Sequence, residues 1–501
     1  MIGARLIDLF SQLPPLPAHE GPNLLLKIAT PEAEGDSAKA PPSMATRQAE
    51  AAVLTSFQRS RVEERLAERP LFPGAIGTGS DGPKDVPMAP FGGAARRQAA
   101  QVLSGGAPVS ADDPYVRAQR QVGEQLDRLG LRPRSEARIH IDEHLIEHGA
   151  GFTRAAAGEA SLLRGGEVTL KTGAPANALA RATLSKDQLA RLESLPARED
   201  RLRRGDGDLA EVVELGVDHL ERQLLDKKVR IAGINRAVPN DGKLTLVNTS
   251  WGDNVYVVAE SQAAYLGDAP EGSRQHQEAT RLLGYPPRKE TSPEGFQGTT
   301  DEDHERLAVA VGERIAARMA EPEIKARFDR ARGELDQELA AGRKKNVLVF
   351  SAAMNDYQQS ARLGHPEWSA VTEAGVPNLI NVGAVGVPGA TGKPVGVAPF
   401  SSAGPITLAA PGVDIPVGEF DRPTGSGTSY ASPIALQTAA LMHAANPNLT
   451  ADQLAQRLVD PRVTHDVPGT DRDGAGRLDP FAAVLSTCSP GPVLTNAAPP
   501  M

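Results

Sequence analysis

Three observations predict an α/β fold in which a parallel β-sheet is flanked by helices. Residues 244–249, 346–351 and 379–385 are short, continuously apolar or β-branched runs. Such runs mark strands covered on both faces. The segments between them carry helical periodicity, so helices and strands alternate along the chain. A third feature is the stretch after Gly427, apolar nearly all round, which belongs to a helix buried inside a domain. Sites on an open sheet of this kind are expected at the C-terminal ends of strands.

The bulk composition narrows the function classes. The chain has 501 residues, room for one large or two ordinary domains with extra segments. Hydrophobic residues at 40% suffice for a core, while aromatics at 4% are sparse, so Ala, Gly and Pro dominate the texture. A net charge of -9 argues against a nucleic-acid surface. The single cysteine, Cys488, excludes an internal disulfide framework, and nothing requires an oxidising compartment. Its surroundings read as tail, and it is assigned no chemistry. Residues 1–10 hold an acid, Asp8, inside a short apolar run with no small-residue cleavage site after it. It does not read as a Sec signal peptide. No apolar stretch approaches the roughly 18 residues that span a membrane. The expected location is cytoplasmic unless a non-Sec route exports the chain, with no membrane and no nucleic acid among its partners.

Taken in order, residues 1–112 are rich in Pro, Ala, Gly, Ser and charge, with helix-like content only at 48–69. Such a region cannot bury enough apolar surface to fold alone and is expected to be mostly disordered. A propeptide, an export segment and a linker all share this composition. Residues 114–129 show helical spacing, and 137–142 alternate like a strand that ends in Asp142. Then come His148-Gly149-Ala150-Gly151 and a small-residue run. Residues 208–225 form an amphipathic helix. The stretch between Trp251 and Lys345 is polar and charged, with a helix expected over 301–339.

The chemistry centres on Gly427-Thr428-Ser429-Tyr430-Ala431-Ser432-Pro433. Ser429 stands at a helix start, where unpaired N–H groups and the macrodipole favour negative charge. Pro433 is expected within the first helical turn. A serine on a rigid buried helix, behind a glycine that admits another backbone, suits a nucleophile whose intermediate carries an oxyanion. A Ser/Thr cap on a core helix would read the same way, and the stretch alone leaves the two readings even.

The seven residues resemble the nucleophile motif of the subtilases, the subtilisin-like serine peptidases. The resemblance covers roughly residues 137–484 and is strongest from Thr245 onward. Ser351-Ala352-Ala353-Met354-Asn355-Asp356 resembles the segment whose asparagine amide holds the oxyanion, which implies that role for Asn355. Met354 departs from the glycine common there and would narrow the pocket beside the scissile residue. Thr249-Ser250-Trp251-Gly252 resembles the segment that pairs with substrate as an added strand. Ser250, Trp251, Gly252 and Met354 are therefore the expected substrate-binding residues. Phe400-Ser401-Ser402-Ala403-Gly404-Pro405, Ala409-Ala410-Pro411-Gly412-Val413 and the run from Asp473 to Asp479 match further landmarks of structural kind.

The family order Asp, His, Ser puts the base and its orienter before Thr249. His148 precedes a glycine, as the family's histidine does, although Gly151 replaces the usual second histidine. Asp142 ends a strand, as the family's aspartate does, but only six residues before His148. His219 falls inside the 208–225 helix and is set aside as a surface residue. His140, His144 and His148, spaced four apart, also fit one face of a helix and hence a metal-binding cluster. The strand-like alternation of Ile139 and Ile141 opposes that reading.

The resemblance implies a subtilisin-like peptidase domain over residues 113–487, with a helical insertion at about 255–343 and a tail at 488–501. The insertion would cover the cleft, bind a partner, or form a solvated hairpin without function. The implied activity is endopeptidase chemistry through an acyl-enzyme, with Asp142, His148, Ser429 and Asn355 as catalytic residues and a protein or peptide as substrate. No cofactor is expected. Calcium often stabilises subtilases, but no Asp-rich loop here commands it. A catalytically inactive domain of the same fold, acting as a peptide-binding or interaction scaffold, is the alternative.

Overall fold

The computed structural model describes residues 86–88, 137–143, 167–172, 177–250, 252–291, 297–386, 396–413, 415–419, 422–461, 463–465, 467 and 472–488. The helices expected at 48–69 and 114–129 lie outside them, as do His148 and Trp251. The first half of the chain supplies β1 (Val86–Met88), β2 (Arg138–Glu143), β3 (Glu167–Thr172), α1 (Asn177–Thr183), α2 (Lys186–Arg203), α3 (Leu209–Ala237) and β4 (Thr245–Thr249). There follow α4 (Val255–Gly267), α5 (Arg274–Leu283), the hairpin β5 (Lys289–Thr291) and β6 (Gln297–Thr299), α6 (Asp301–Ala320) and α7 (Pro322–Lys344). The remainder comprises β7 (Val347–Ala352), α8 (Tyr357–Arg362), a 3-10 turn at Pro366–Ser369, β8 (Leu379–Val385) and β9 (Leu408–Pro411). A second hairpin of β10 (Ile415–Glu419) and β11 (Arg422–Gly425) precedes α9 (Thr428–Ala445) and α10 (Ala451–Leu458). The last elements are β12 (Thr464–His465), β13 (Arg477–Leu478) and α11 (Pro480–Cys488).

The main sheet runs in the order β1-β3-β2-β4-β7-β8-β9-β13-β12. From β3 to β9 every neighbouring pair is parallel. The antiparallel pairs β1–β3 and β13–β12 close its edges. All residues of β4, β7 and β8 are buried, as continuous apolar runs require of strands covered on both faces. Two of these strands are entered through an asparagine in left-handed conformation, Asn346 and Asn378, both at φ 64°. That residue type tolerates the region better than branched ones do.

The two faces carry separate cores. On one, α9 lays Ala431, Ala435, Leu436, Ala439 and Ala440 against Leu246, Leu348 and Phe350. Its small side chains let the helix approach the sheet closely. On the other, α3 buries Val212, Leu220, Leu224 and Val229 together with Val247 and Val349. Asp208 starts α3 by accepting the Glu211 N–H at 2.9 Å, the usual N-cap geometry.

Several expectations are corrected. The 208–225 helix continues to Ala237, although Asp226, Lys227, Lys228 and Arg230 break its apolar pattern. Each finds a partner: Asp226 with Arg230 at 3.0 Å, Lys228 with Glu334 at 2.9 Å, and Lys227 with Glu373. The 301–339 helix is two helices, parted at Glu321 where Pro322 opens α7. A proline is well suited to a first helical position and is costly in a helix interior. The stretch expected as an insertion is no solvated hairpin. Val258, Leu266, Leu307, Val311, Ile315, Phe328 and Leu335 join the α3 core, on the face away from α9. Within the Pro/Ala/Gly-rich region, Val86–Met88 pairs with β3, so that region contributes an edge strand. Cys488 is the last residue of α11 rather than tail.

Lys227 is 1% exposed, and its Nζ donates to Ser351 Oγ at 2.8 Å besides pairing with Glu373. Removing one member of a buried pair strands the other charge, at about 3–5 kcal/mol. Lys227→Met is therefore expected to destabilise by about that amount in urea unfolding. Lys227→Met with Glu373→Leu should recover most of the loss, and equal destabilisation of single and double variants would contradict it.

Candidate active site

The ends of β4 and β7 and the start of α9 meet at one place. Ser432 Oγ donates to Asn248 Oδ1 at 2.6 Å, and Asn248 Nδ2 donates to Ser250 Oγ at 2.8 Å. Both Asn248 and Ser432 are fully buried. This polar link ties the second turn of α9 to the segment that leaves β4.

A second link ties α9 to the segment that leaves β7. The Thr428 N–H and Oγ1–H both donate to Asn355 Oδ1, at 2.8 and 3.0 Å. With its carbonyl end held, the amide of Asn355 has a defined direction for Nδ2. Gly427 shows what lies in that direction. A Cβ placed on it would stand 3.1 Å from Ser429 Oγ and 3.4 Å from Asn355 Nδ2. The space left by the missing side chain is thus shared by the serine hydroxyl and the asparagine amide. A reacting atom needs such a place, about 3 Å from both a nucleophile and an oxyanion donor. The backbone of Gly427, at φ 162°, is extended and open to any residue. Glycine is required here for room, not for conformation.

Ser429 is the second residue of α9, with its side chain buried beside Gly427. Its N–H belongs to the first turn, which has no intrahelical acceptor. Pro433 falls at the sixth position of α9 rather than in its first turn. It has no N–H to return to the Ser429 carbonyl four residues back. Met354 takes φ 74°, the left-handed region that favours glycine. Its Sδ lies 3.5 Å from the point where a Cβ on Gly252 would stand. Met354 and Gly252 thereby bring together the two segments expected to hold substrate. The landmark at 400–405 supports the same loop: the Tyr357 N–H bonds to Phe400 O at 3.1 Å and the Ser402 N–H to Met354 O at 3.2 Å.

Asp142 lies in β2, paired with Lys171 of β3 and one residue past the Ile141–Asn248 pair with β4. Its backbone is therefore at the same end of the sheet as Ser250. His148 and Trp251 fall outside the described residues. His140 belongs to strand β2, which removes the helical face proposed for a metal-binding His140, His144 and His148. Among the described residues no three His, Cys, Asp or Glu side chains form a group that could hold a metal ion.

Sequence reasoning missed Thr428, Asn248, Ser432, Asn254 and Asp356. Asn248 carried a usable signal, being an amide inside an otherwise apolar strand. Burial pushes the Asp356 carboxyl above the ordinary carboxylate value, against the pull of hydrogen bonds from Asn254 and the Asn355 backbone.

The subtilase family model matches residues 204–476, more than half of the chain. The chain belongs to the subtilase family. Within that family, a halolysin-like extracellular serine protease, Nep, of Natrialba magadii is 41% identical over 90 residues, 17% of this chain. Those residues span 16% of the relative's length. A solved protease of Pseudoalteromonas arctica is 25% identical, at a TM-score of 0.24, with 31% of this chain and 47% of that one covered. Fervidolysin from Fervidobacterium pennivorans, described as a keratinolytic enzyme related to subtilisin, is 23% identical at a TM-score of 0.25. That likeness covers 32% of this chain and 25% of fervidolysin. No helix among the described residues of this subtilase is long and apolar enough to cross a membrane.

His219 is not the surface residue expected. Its Nε2 lies 3.0 Å from Glu199 of α2 and its side chain is only 12% exposed. Burial holds its pKa below the ordinary 6.5, although the hydrogen bond to Glu199 works the other way. The unfolded chain thus protonates this histidine first, and stability falls as pH drops through about 6.5. Unfolding midpoints measured from about pH 7.5 to 5.5 should decline less steeply in His219→Gln than in wild type. Parallel curves would show that His219 does not contribute.

Proposed function

We propose that this subtilase is a serine endopeptidase that hydrolyses peptide bonds through an acyl-enzyme. Ser429 attacks the scissile carbonyl, and His148 takes its proton and returns it to the leaving amine. Asp142 fixes the imidazole tautomer. Asn355 Nδ2 and the Ser429 N–H hold the oxyanion. The observation that carries this reading is the space over Gly427, shared by Ser429 Oγ and Asn355 Nδ2 at 3.1 and 3.4 Å. The position of Asp142 at the site's end of the sheet supports its place in the triad. An extended peptide would lie along residues 250–252, with Ser250, Trp251, Gly252 and Met354 as its binding residues. The substrate is a protein or peptide, and no cofactor takes part. A cytoplasmic location, unless a non-Sec route exports the chain, belongs to the same proposal and is read by cell fractionation.

Labelling of the full chain with a fluorophosphonate tests the triad. Wild type should label, and Ser429→Ala and His148→Ala should not. Rapid labelling of His148→Ala would transfer the base to another histidine. A folded wild type that resists the probe would favour the inactive peptide-binding alternative.

Gly427→Ala tests the shared space. Its methyl would occupy the position where the scissile carbonyl must sit, while the extended backbone accepts alanine. Activity on a peptide substrate should fall at least about hundredfold, the scale of losing an oxyanion contact. The thermal midpoint should move little. Unchanged kcat would show that the carbonyl does not sit there.

A further inference from the structure

Asn254 lies two residues beyond Gly252 and is fully buried. Its Oδ1 accepts the Val257 N–H at 3.0 Å and caps α4, the first helix of the insertion. Its Nδ2 donates to Asp356 Oδ2 at 2.9 Å and to Ser369 O at 3.2 Å. Asp356 adjoins Asn355, and Ser369 closes the loop that Asn355 opens. A single amide therefore joins the wall that leaves β4, the start of the insertion, and both ends of the loop carrying Asn355.

The residue before Ser369 is gripped from the same side. Trp368 is 3% exposed and lies on α6 at Gly312, where a Cβ would stand 2.5 Å from the indole carbons Cη2 and Cζ3. The bare backbone at Gly312 is what admits the ring. Ser369 Oγ also accepts the Ala403 N–H at 3.0 Å, which anchors the loop to the 400–405 segment. Two turns earlier in α6, Glu305 Oε2 accepts a hydrogen bond from Arg362 Nη1 at 2.9 Å. The Asn355 loop thus meets Thr428 on its cleft side and the insertion behind it.

We propose that Asn254 is a positioning residue for the Asn355 amide, and that the inserted helices serve catalysis by bracing that amide from behind. This inference rests on the serine-peptidase reading. An oxyanion donor works only when held in advance at hydrogen-bond distance from the developing charge. A displacement near 1 Å costs on the order of hundredfold in rate. Asn355 is exposed at the cleft and takes its rigidity from what lies on either side of it. Thr428 supplies one support and Asn254, through Asp356 and Ser369, the other.

Asn254→Ser separates the two jobs of the side chain. Serine is an effective N-cap and can serve α4, but it lacks the amide that reaches Asp356 and Ser369. In the full chain, kcat on a peptide substrate should fall about ten- to hundredfold. KM should stay within about twofold, because donors that act in the transition state contribute little to ground-state binding. Asp356→Ala should cause a similar loss, and the double variant should be no slower than the poorer single one. Wild-type kcat in Asn254→Ser, a loss confined to KM, or fully additive losses would overturn the inference. If Asn254→Ser does not fold, Asn254→Asp, whose carboxylate also caps α4, is read by the same criteria. A wild type that neither labels with fluorophosphonate nor cleaves peptide removes the serine-peptidase reading and this inference together. An active wild type beside an equally active Asn254→Ser removes this inference alone.

Discussion

The site depends on how the start of α9 is fixed to the ends of two strands. Ser432 to Asn248 and Thr428 to Asn355 are hydrogen bonds from one helical segment, four residues apart, to β4 and to the loop after β7. Each such bond contributes only about 1 kcal/mol to net stability. Their value is geometric. The Asn248–Ser432 pair is buried among apolar side chains, where leaving either partner unmade would cost more than the bond contributes. The helix therefore has one favourable seat along the strand ends. In that seat Ser429 Oγ and Asn355 Nδ2 face the same empty point over Gly427.

The opposite face of the sheet follows a different logic. Helix α3 is charged along much of its buried length, and α2, α7 and the loop at Glu373 supply its counter-ions. Asp218 meets Arg198 and Arg327, and Glu221 meets Arg191. Charges buried this way add little net stability over an apolar core, but they disfavour any arrangement that leaves one unpaired. The segment from α4 to α7 is thereby held in register on α3. Through α4 and α6 it also touches the loop carrying Asn355. A stretch that reads as an accessory to the domain is part of its second core.

The strands were legible because a continuous apolar run has few other uses at that length. The run at 379–385 matches β8 at both ends. Helix starts were legible where a capping side chain stood before an apolar period, as at Asp208. The extension of α3 to Ala237 was not, since its charged residues read as solvated until their partners are in place. Pro322 carries a readable signal, for a proline between two helical patterns marks a new start. At the site, Ser429, Asn355 and Gly427 were visible through motif spacing. Thr428, Asn254 and Asp356 were not, because their partners lie far along the chain and no local pattern announces such pairs.

By itself the sequence determined the parallel sheet, the buried helix that carries Ser429 and the family to which the chain belongs. These follow from apolar periodicity and from a compact motif, both of which are local properties. Only the tertiary structure decided that α4, α6 and α7 thicken the core on the α3 side of the sheet. It also decided that Met354 adopts a left-handed backbone against Gly252, and that Asn254 links three segments through one amide. Each of these outcomes depends on which distant surfaces meet, and a hydrogen bond or a packed indole has no sequence signature until they do.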